Sequence, residues 1–284
     1  MSTLSAGEVM RCHPCFDEQA HARVGRVHLP VAPRCNIRCA FCERRVCANV
    51  TQQHPGWAQQ LLTPPEALAR VQDLVRRHPQ ERFVVGVAGP GDPLANSATF
   101  EALAAVHAEF PHLLKCVSTN GLLLEEKLPD LLRVGICALT VTVNAPDGAV
   151  GERIYRWVRC GDTVYRGRAG AELLLERQLA GIRAALGRGL AVKVNTVLVP
   201  GINGPHIARL AALLRDAGVR LMNIMPLIPA GYLREERAPT CEELRQARAE
   251  CESLIPQFRA CEHCRADVVR FPRRGETGKR VKGE

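Results

Sequence analysis

Cys35, Cys39 and Cys42 stand as C-x3-C-x2-C in the stretch Pro33-Arg34-Cys35-Asn36-Ile37-Arg38-Cys39-Ala40-Phe41-Cys42. That spacing lets one short loop present three thiolates to one face of an iron–sulfur cube. Soft thiolates select iron–sulfur clusters or zinc. A cubane has four irons, so three cysteines leave one iron without a protein ligand and open to a substrate. Thirteen cysteines include three C-x2-C pairs: Cys12/Cys15, Cys39/Cys42 and Cys261/Cys264. The first nine residues lack a positive start and an apolar run, so no secretory signal is expected. Reduced metal-binding thiols are therefore favoured over disulfides. A four-cysteine zinc clip from Cys12, Cys15, Cys261 and Cys264 competes with cluster ligation.

The elements that must carry these thiols are legible from pattern. The 284 residues are 46% hydrophobic, enough for a sizeable core, and no apolar run is long enough to span a membrane. Strands are expected at 27–31, 83–89, 114–119, 139–144, 191–199 and 219–226. Helices are expected from Thr63-Pro64-Pro65-Glu66 onward, at 97–108, 125–133, 171–186 and 205–216, and from the capping box of Thr240 and Glu243 to about 258. Six strands alternating with helices imply an α/β fold, a partial (β/α)6 barrel with parallel strands joined by right-handed crossovers. Ligands in such folds sit at the carboxyl ends of the strands, and the cysteine loop follows the first strand. The chain reads as a single domain over residues 1–269, its cysteine-bearing ends closing the barrel mouth, with a disordered basic tail at 270–284. Much of the net charge of +9 lies in that tail; with only 4% aromatics a nucleic-acid surface is not expected.

Several strands end in polar or small residues. Ala88-Gly89-Pro90-Gly91-Asp92-Pro93 allows close backbone approach, and Asp92 can accept from an ammonium. Thr119 and Asn120 close the third strand, Asn144 closes the fourth, Asn195 lies in the fifth and Asn223 in the sixth. A single such residue is ordinarily a satisfied turn residue. Four strand ends with them point to one polar ligand across the barrel mouth.

The cysteine loop and the glycine-rich turn together resemble the radical SAM superfamily. That resemblance implies S-adenosylmethionine (SAM) bound to the open iron through its amine and carboxylate, and cleavage to a 5′-deoxyadenosyl radical. It implies SAM contacts from Phe41, Gly89, Gly91, Asp92, Thr119, Asn120, Asn144, Asn195, Asn223 and Met225.

A narrower resemblance follows from His13-Pro14-Cys15, residues 27–33, residues 88–96, Ser118-Thr119-Asn120-Gly121, Lys193-Val194-Asn195, Asn223-Ile224-Met225-Pro226 and residues 261–267. From about residue 11 to 269 the chain resembles the NifB family, radical SAM maturases of the nitrogenase cofactor in nitrogen fixation. The resemblance implies a cytoplasmic, lyase-like enzyme that fuses two 4Fe-4S clusters with a SAM-derived carbide and an extra sulfur. One SAM gives a methyl group and a second gives the radical. It implies that Cys35, Cys39 and Cys42 hold the SAM-cleaving cluster. His28, Cys47 and Cys116 would hold one substrate cluster, and Cys15, Cys261 and Cys264 the other. Implied partners are cluster-donor and product-carrier proteins and a ferredoxin or flavodoxin, with no nucleic acid and no membrane. Without the resemblance, His28 would read as a core histidine and Cys116 as a small buried hydrophobe.

One segment departs from the family. Where the family carries a Glu and an Arg before a Pro-Gly, this chain has Asn49-Val50-Thr51-Gln52-Gln53-His54-Pro55-Gly56. His54 is the candidate replacement base. Two other readings stand beside the maturase: a radical SAM enzyme with auxiliary clusters acting on a peptide or small molecule, and a non-catalytic zinc-stapled module.

Overall fold

The computed structural model describes residues 4–272. Six parallel strands run in the order expected of a curled half-barrel: β1 (Gly25–His28), β2 (Phe83–Val87), β3 (Leu114–Thr119), β4 (Ile136–Thr142), β5 (Ala191–Leu198) and β6 (Met222–Pro226). Each pairs with its sequence neighbour, so the sheet order is β6-β5-β4-β3-β2-β1. A seventh strand, β7 (Val269–Arg270), adds antiparallel to β1, with Arg26 opposite Arg270. Arg270, placed in the tail by its sequence, is thus a sheet residue, and Phe271 stacks on His78 at 3.9 Å between ring centroids. Residues 273–284 of the expected tail lie outside the described residues.

The helices form where the caps and apolar spacing place them. Thr63 and Thr240 cap Pro64–Arg77 and Cys241–Glu252 with reciprocal Glu66 and Glu243 bonds. The last helix stops at Glu252 rather than near 258. Residues 256–258 instead bond to the edge strand, Phe258 N–H donating to the Met222 carbonyl at 2.8 Å. Outward-facing residues of the strands, such as Val85, Val117, Leu139, Val141, Val192, Val194 and Ile224, pack against the helices in one continuous core.

The inward face follows another rule. Parallel strands covered on both sides are usually apolar on both. Here Arg26, His28, Cys116, Thr140, Lys193 and Asn195 alternate with the apolar residues and line the barrel interior. The two-residue period places them there.

Short helices at Ala6–Cys12, Glu18–Arg23 and Gly148–Ile154 were not expected, and neither was a hairpin. Tyr155–Cys160 and Thr163–Tyr165 form this hairpin, and Tyr155–Cys160 pairs antiparallel with Ile37–Cys39 inside the cysteine loop. Among the described residues no helix is long and apolar enough to cross a membrane.

Candidate active site

The cysteine loop is held from three sides. Gly91 N–H donates to the Ala32 carbonyl at 2.6 Å and Asp92 N–H to the Arg34 carbonyl at 2.9 Å. A side chain at Gly91 would stand 2.1 Å from the Arg34 oxygen, so only glycine lets the two segments meet. The Asn96 amide brackets Arg34, accepting from its N–H at 3.2 Å and donating to its carbonyl at 2.8 Å. The hairpin grips Ile37–Cys39, and the Ala40 carbonyl accepts from Tyr232 N–H at 2.7 Å. The Asn120 amide bonds Asn36 Oδ1 at 2.6 Å and approaches Cys35 Sγ at 3.8 Å.

Cys35, Cys39 and Cys42 all line one cavity of about 250 Å³ at the carboxyl ends of the strands. Burial pushes the Cys35 thiol up to about 12, with the charge of Asp92 adding to it. Burial raises Cys39 further and Cys42 less, where Arg44 and Arg38 oppose it. Buried thiols of this kind ionise when a metal takes the place of the proton. The donor set therefore fits a thiolate-bound cluster.

The far side of the same cavity is lined by Cys15, His28, Cys116, Cys261 and Cys264. His28 Nδ1 donates to the Arg265 carbonyl at 3.0 Å, which fixes the tautomer and leaves Nε2 as the basic nitrogen a metal would take. Gly86 lies between His28 and Cys116. A Cβ there would be 2.8 Å from Cys116 Sγ and 3.5 Å from the His28 ring. Cys261 and Cys264 turn around His263 at φ 51°, a left-handed conformation that costs about 1–2 kcal/mol outside glycine. Glu262 anchors this turn on Arg26 at 2.8 Å, with Arg270 and His21 also on its carboxylate. Burial raises the Cys15 and Cys116 thiols, and raises Cys264 to about 11.

Among the residues expected to contact SAM, Phe41, Gly91, Asp92, Thr119, Asn120, Asn144, Asn195 and Met225 line the cavity. Five of these, Asp92, Thr119, Asn120, Asn144 and Asn195, have side-chain polar groups engaged by the fold. The Asp92 carboxylate accepts from Thr119 Oγ1, Asn120 N–H and Leu94 N–H, tying the β2 turn to the end of β3. The Asn144 side chain accepts from Val197 N–H and donates to the Tyr155 hydroxyl. Gly89 and Asn223 lie behind the lining, Asn223 donating to Asn195 Oδ1 at 3.1 Å.

Cys47 and His54 stand apart from the cavity. Cys47 is exposed on the 43–56 segment. His54 is stacked on Trp57 at 4.8 Å and accepts from Gly56 N–H, so its ring holds the segment together. The zinc clip does not assemble, because Cys12 faces a separate pocket beside His78 and His112. Among the described residues no three His, Cys, Asp or Glu side chains converge on a point where a single ion would sit; the thiols ring a space instead. Pattern reading missed His13, Arg26, Tyr155, Lys193 and His263, all of which line the cavity. For Arg26 and Lys193 a signal existed, a cation inside an otherwise apolar strand.

The radical SAM superfamily model matches residues 29–214. The FeMo cofactor biosynthesis protein NifB of Methanocaldococcus infernus is 46% identical over 92% of this chain and 86% of its own length. The protein of the same name from Klebsiella pneumoniae is 41% identical over 90% of this chain and 56% of its own. Among solved structures, a radical SAM methyltransferase from Sphaerobacter thermophilus superposes with a TM-score of 0.54 at 21% identity, over 83% of this chain and 64% of that one. Native anSMEcpe with bound AdoMet superposes with a TM-score of 0.51 at 10% identity, over 70% and 51%. At these identities the two structures carry the fold alone.

Proposed function

The chain belongs to the radical SAM superfamily and, within it, to the NifB family, and from that premise we propose that it is a maturase of the nitrogenase cofactor precursor, fusing two four-iron substrate clusters with a SAM-derived carbide and an extra sulfur. One observation carries the reading. Five donors from separate segments, Cys15, His28, Cys116, Cys261 and Cys264, share one cavity with the Cys35, Cys39 and Cys42 loop. A radical enzyme for a small organic substrate has no need of such a ring.

Cys35, Cys39 and Cys42 would hold a four-iron cluster, which would supply the electron for reductive cleavage of SAM. The protein's residues contribute positioning. Asp92 and Asn120 hold the loop end against the third strand, and Gly91 lets the glycine-rich turn pack directly on the Arg34 backbone. His28 and Cys116 form one substrate-cluster site, Cys15, Cys261 and Cys264 the other. In this reading Cys47 joins the first by movement of the 43–56 segment. Incomplete ligation suits clusters that must fuse and leave. Cluster-donor and product-carrier proteins, and a ferredoxin or flavodoxin, are the partners this reading requires, in the cytoplasm.

The test incubates anaerobically loaded protein with dithionite and SAM labelled in its methyl carbon. The expected result is label retained in an extractable iron–sulfur cluster. SAM cleavage without that transfer refutes the maturase reading and favours a peptide or small-molecule substrate.

A further inference from the structure

Two cations project from the barrel strands into the floor of the cavity, and they are not equivalent. Arg26 is buried but meets the Glu262 carboxylate at 2.8 Å. Lys193, only 2% exposed, has no carboxylate partner among the described residues. The two acids that line the cavity are both committed. Asp92 accepts from Thr119, Asn120 and Leu94, and Glu262 carries Arg26, Arg270 and His21. The Lys193 ammonium has three donors. One goes to the Cys15 carbonyl at 2.7 Å. The rings of Phe258 and Phe16, with centroids 4.7 and 5.4 Å away, offer their faces to the charge. The other two donors have no acceptor among the described residues.

One carbonyl acceptor and two aromatic faces hold the ammonium without neutralising it, so its charge is available to an anion in the cavity. The groups around Lys193 say which kind: it holds the Cys15 carbonyl, and Cys15, Cys261 and Cys264 line the same cavity. Lys115 is as deeply buried on a single carbonyl, that of Leu113, but it does not line the cavity; Lys193 does.

We infer that Lys193 is a fixed counter-charge for the anionic, thiolate-bound iron–sulfur cluster of the Cys15, Cys261 and Cys264 site, at the floor of the barrel. The inference rests on the maturase reading of the cavity and adds a positioning residue to it. The ammonium would offset the negative charge that thiolates bring to the cluster, and its two remaining N–H groups would be available to the cluster's sulfides. Oriented hydrogen bonds and charge of this kind also set a cluster's reduction potential.

Two variants separate charge from scaffold. Lys193→Arg keeps the charge. Lys193→Gln keeps an N–H for the Cys15 carbonyl and removes the charge. Both are reconstituted anaerobically with iron and sulfide, and the readouts are iron per chain, the electron paramagnetic resonance signals after reduction, and the midpoint potentials. Thermal melting of the cluster-free proteins checks that each is folded. The expected result is that Lys193→Gln loses the iron of one cluster, or holds it at a more negative potential, while Lys193→Arg matches the wild type. A Lys193→Gln protein with wild-type iron and potentials overturns the inference, as does a Lys193→Arg protein as deficient as Lys193→Gln. Wild-type protein that takes up only about four irons, one cluster's worth, overturns the parent reading as well. Wild-type protein with auxiliary iron that Lys193→Gln retains unchanged overturns this inference alone.

Discussion

Replacing Gly86 with alanine puts the packing of the substrate-cluster site under a defined load. The added Cβ would meet Cys116 Sγ at 2.8 Å. Comfortable contacts lie at about 3.5–4.0 Å, so the sulfur must recede by about 1 Å. Metal–ligand distances tolerate about 0.2 Å. The thiol therefore leaves its coordinating position whether it rotates away or the strand shifts. The cost to the fold is small by comparison. Overpacking costs about 1–3 kcal/mol, and the stiffer unfolded chain returns about 0.4–1 kcal/mol, since Gly86 has strand geometry open to alanine. The net is about 1–2 kcal/mol, within reach of a stable domain. Urea denaturation of the cluster-free protein measures the fold, and iron analysis with Mössbauer spectroscopy of the reconstituted protein measures the site. The expected outcome is a modest shift in the midpoint together with loss of one auxiliary cluster and retention of iron at Cys35, Cys39 and Cys42. A Gly86→Ala protein that keeps every cluster with unchanged spectra refutes the placement of Cys116 as a ligand.

Three further outcomes follow from the same geometry. Changing Cys35, Cys39 and Cys42 to alanine together should abolish reductive SAM cleavage, measured as 5′-deoxyadenosine released, with auxiliary iron still bound. Cys47, exposed in the cluster-free protein, should react readily with iodoacetamide and become protected after cluster loading; equal rates before and after remove it from the ligand set. Burial pushes His13 down from 6.5 to about 3, and its Nδ1 accepts from Cys15 N–H at 3.1 Å. The folded state therefore binds fewer protons than the unfolded one across that window, and cluster-free protein should lose stability, by a few kcal/mol at most, as pH falls from 6.5 towards 3. His13→Asn, which keeps an acceptor without a basic nitrogen, should flatten that slope in urea titrations at several pH values.

How far the sequence alone reaches is set by how local each signal is. The strand pattern and the Thr63 and Thr240 caps are short-range, and six strands and the main helices formed close to their expected bounds. The Cys35, Cys39 and Cys42 loop and the Ala88 to Asp92 turn are contiguous motifs, and they meet in space through Gly91 and Arg34. His28 and Cys116 are different. Each is one inward residue of an apolar strand, where periodicity favours a core reading, and only family resemblance distinguished them. Lys193 and Arg26 carried a signal, but their meaning depends on which acids reach them, a property of the folded chain. The hairpin at Tyr155–Cys160 escaped because Arg156, Trp157 and Arg159 read as surface, while its partner strand lies in the cysteine loop. Asp92 and Asn144 were read as ligand contacts from their types and places. Their hydrogen bonds to Thr119, Asn120, Val197 and Tyr155 make them the struts of the cavity wall.

The account turns on whether one chamber holds both the SAM-cleaving cluster and the substrate clusters. Anomalous scattering at the iron edge, from crystals of anaerobically loaded protein, locates each iron directly. Three groups of iron are expected around the cavity, one at Cys35, Cys39 and Cys42, one against His28 and Cys116, and one against Cys15, Cys261 and Cys264. Iron at the first position only, with Cys15, Cys116, Cys261 and Cys264 remaining free thiols in loaded protein, would contradict it.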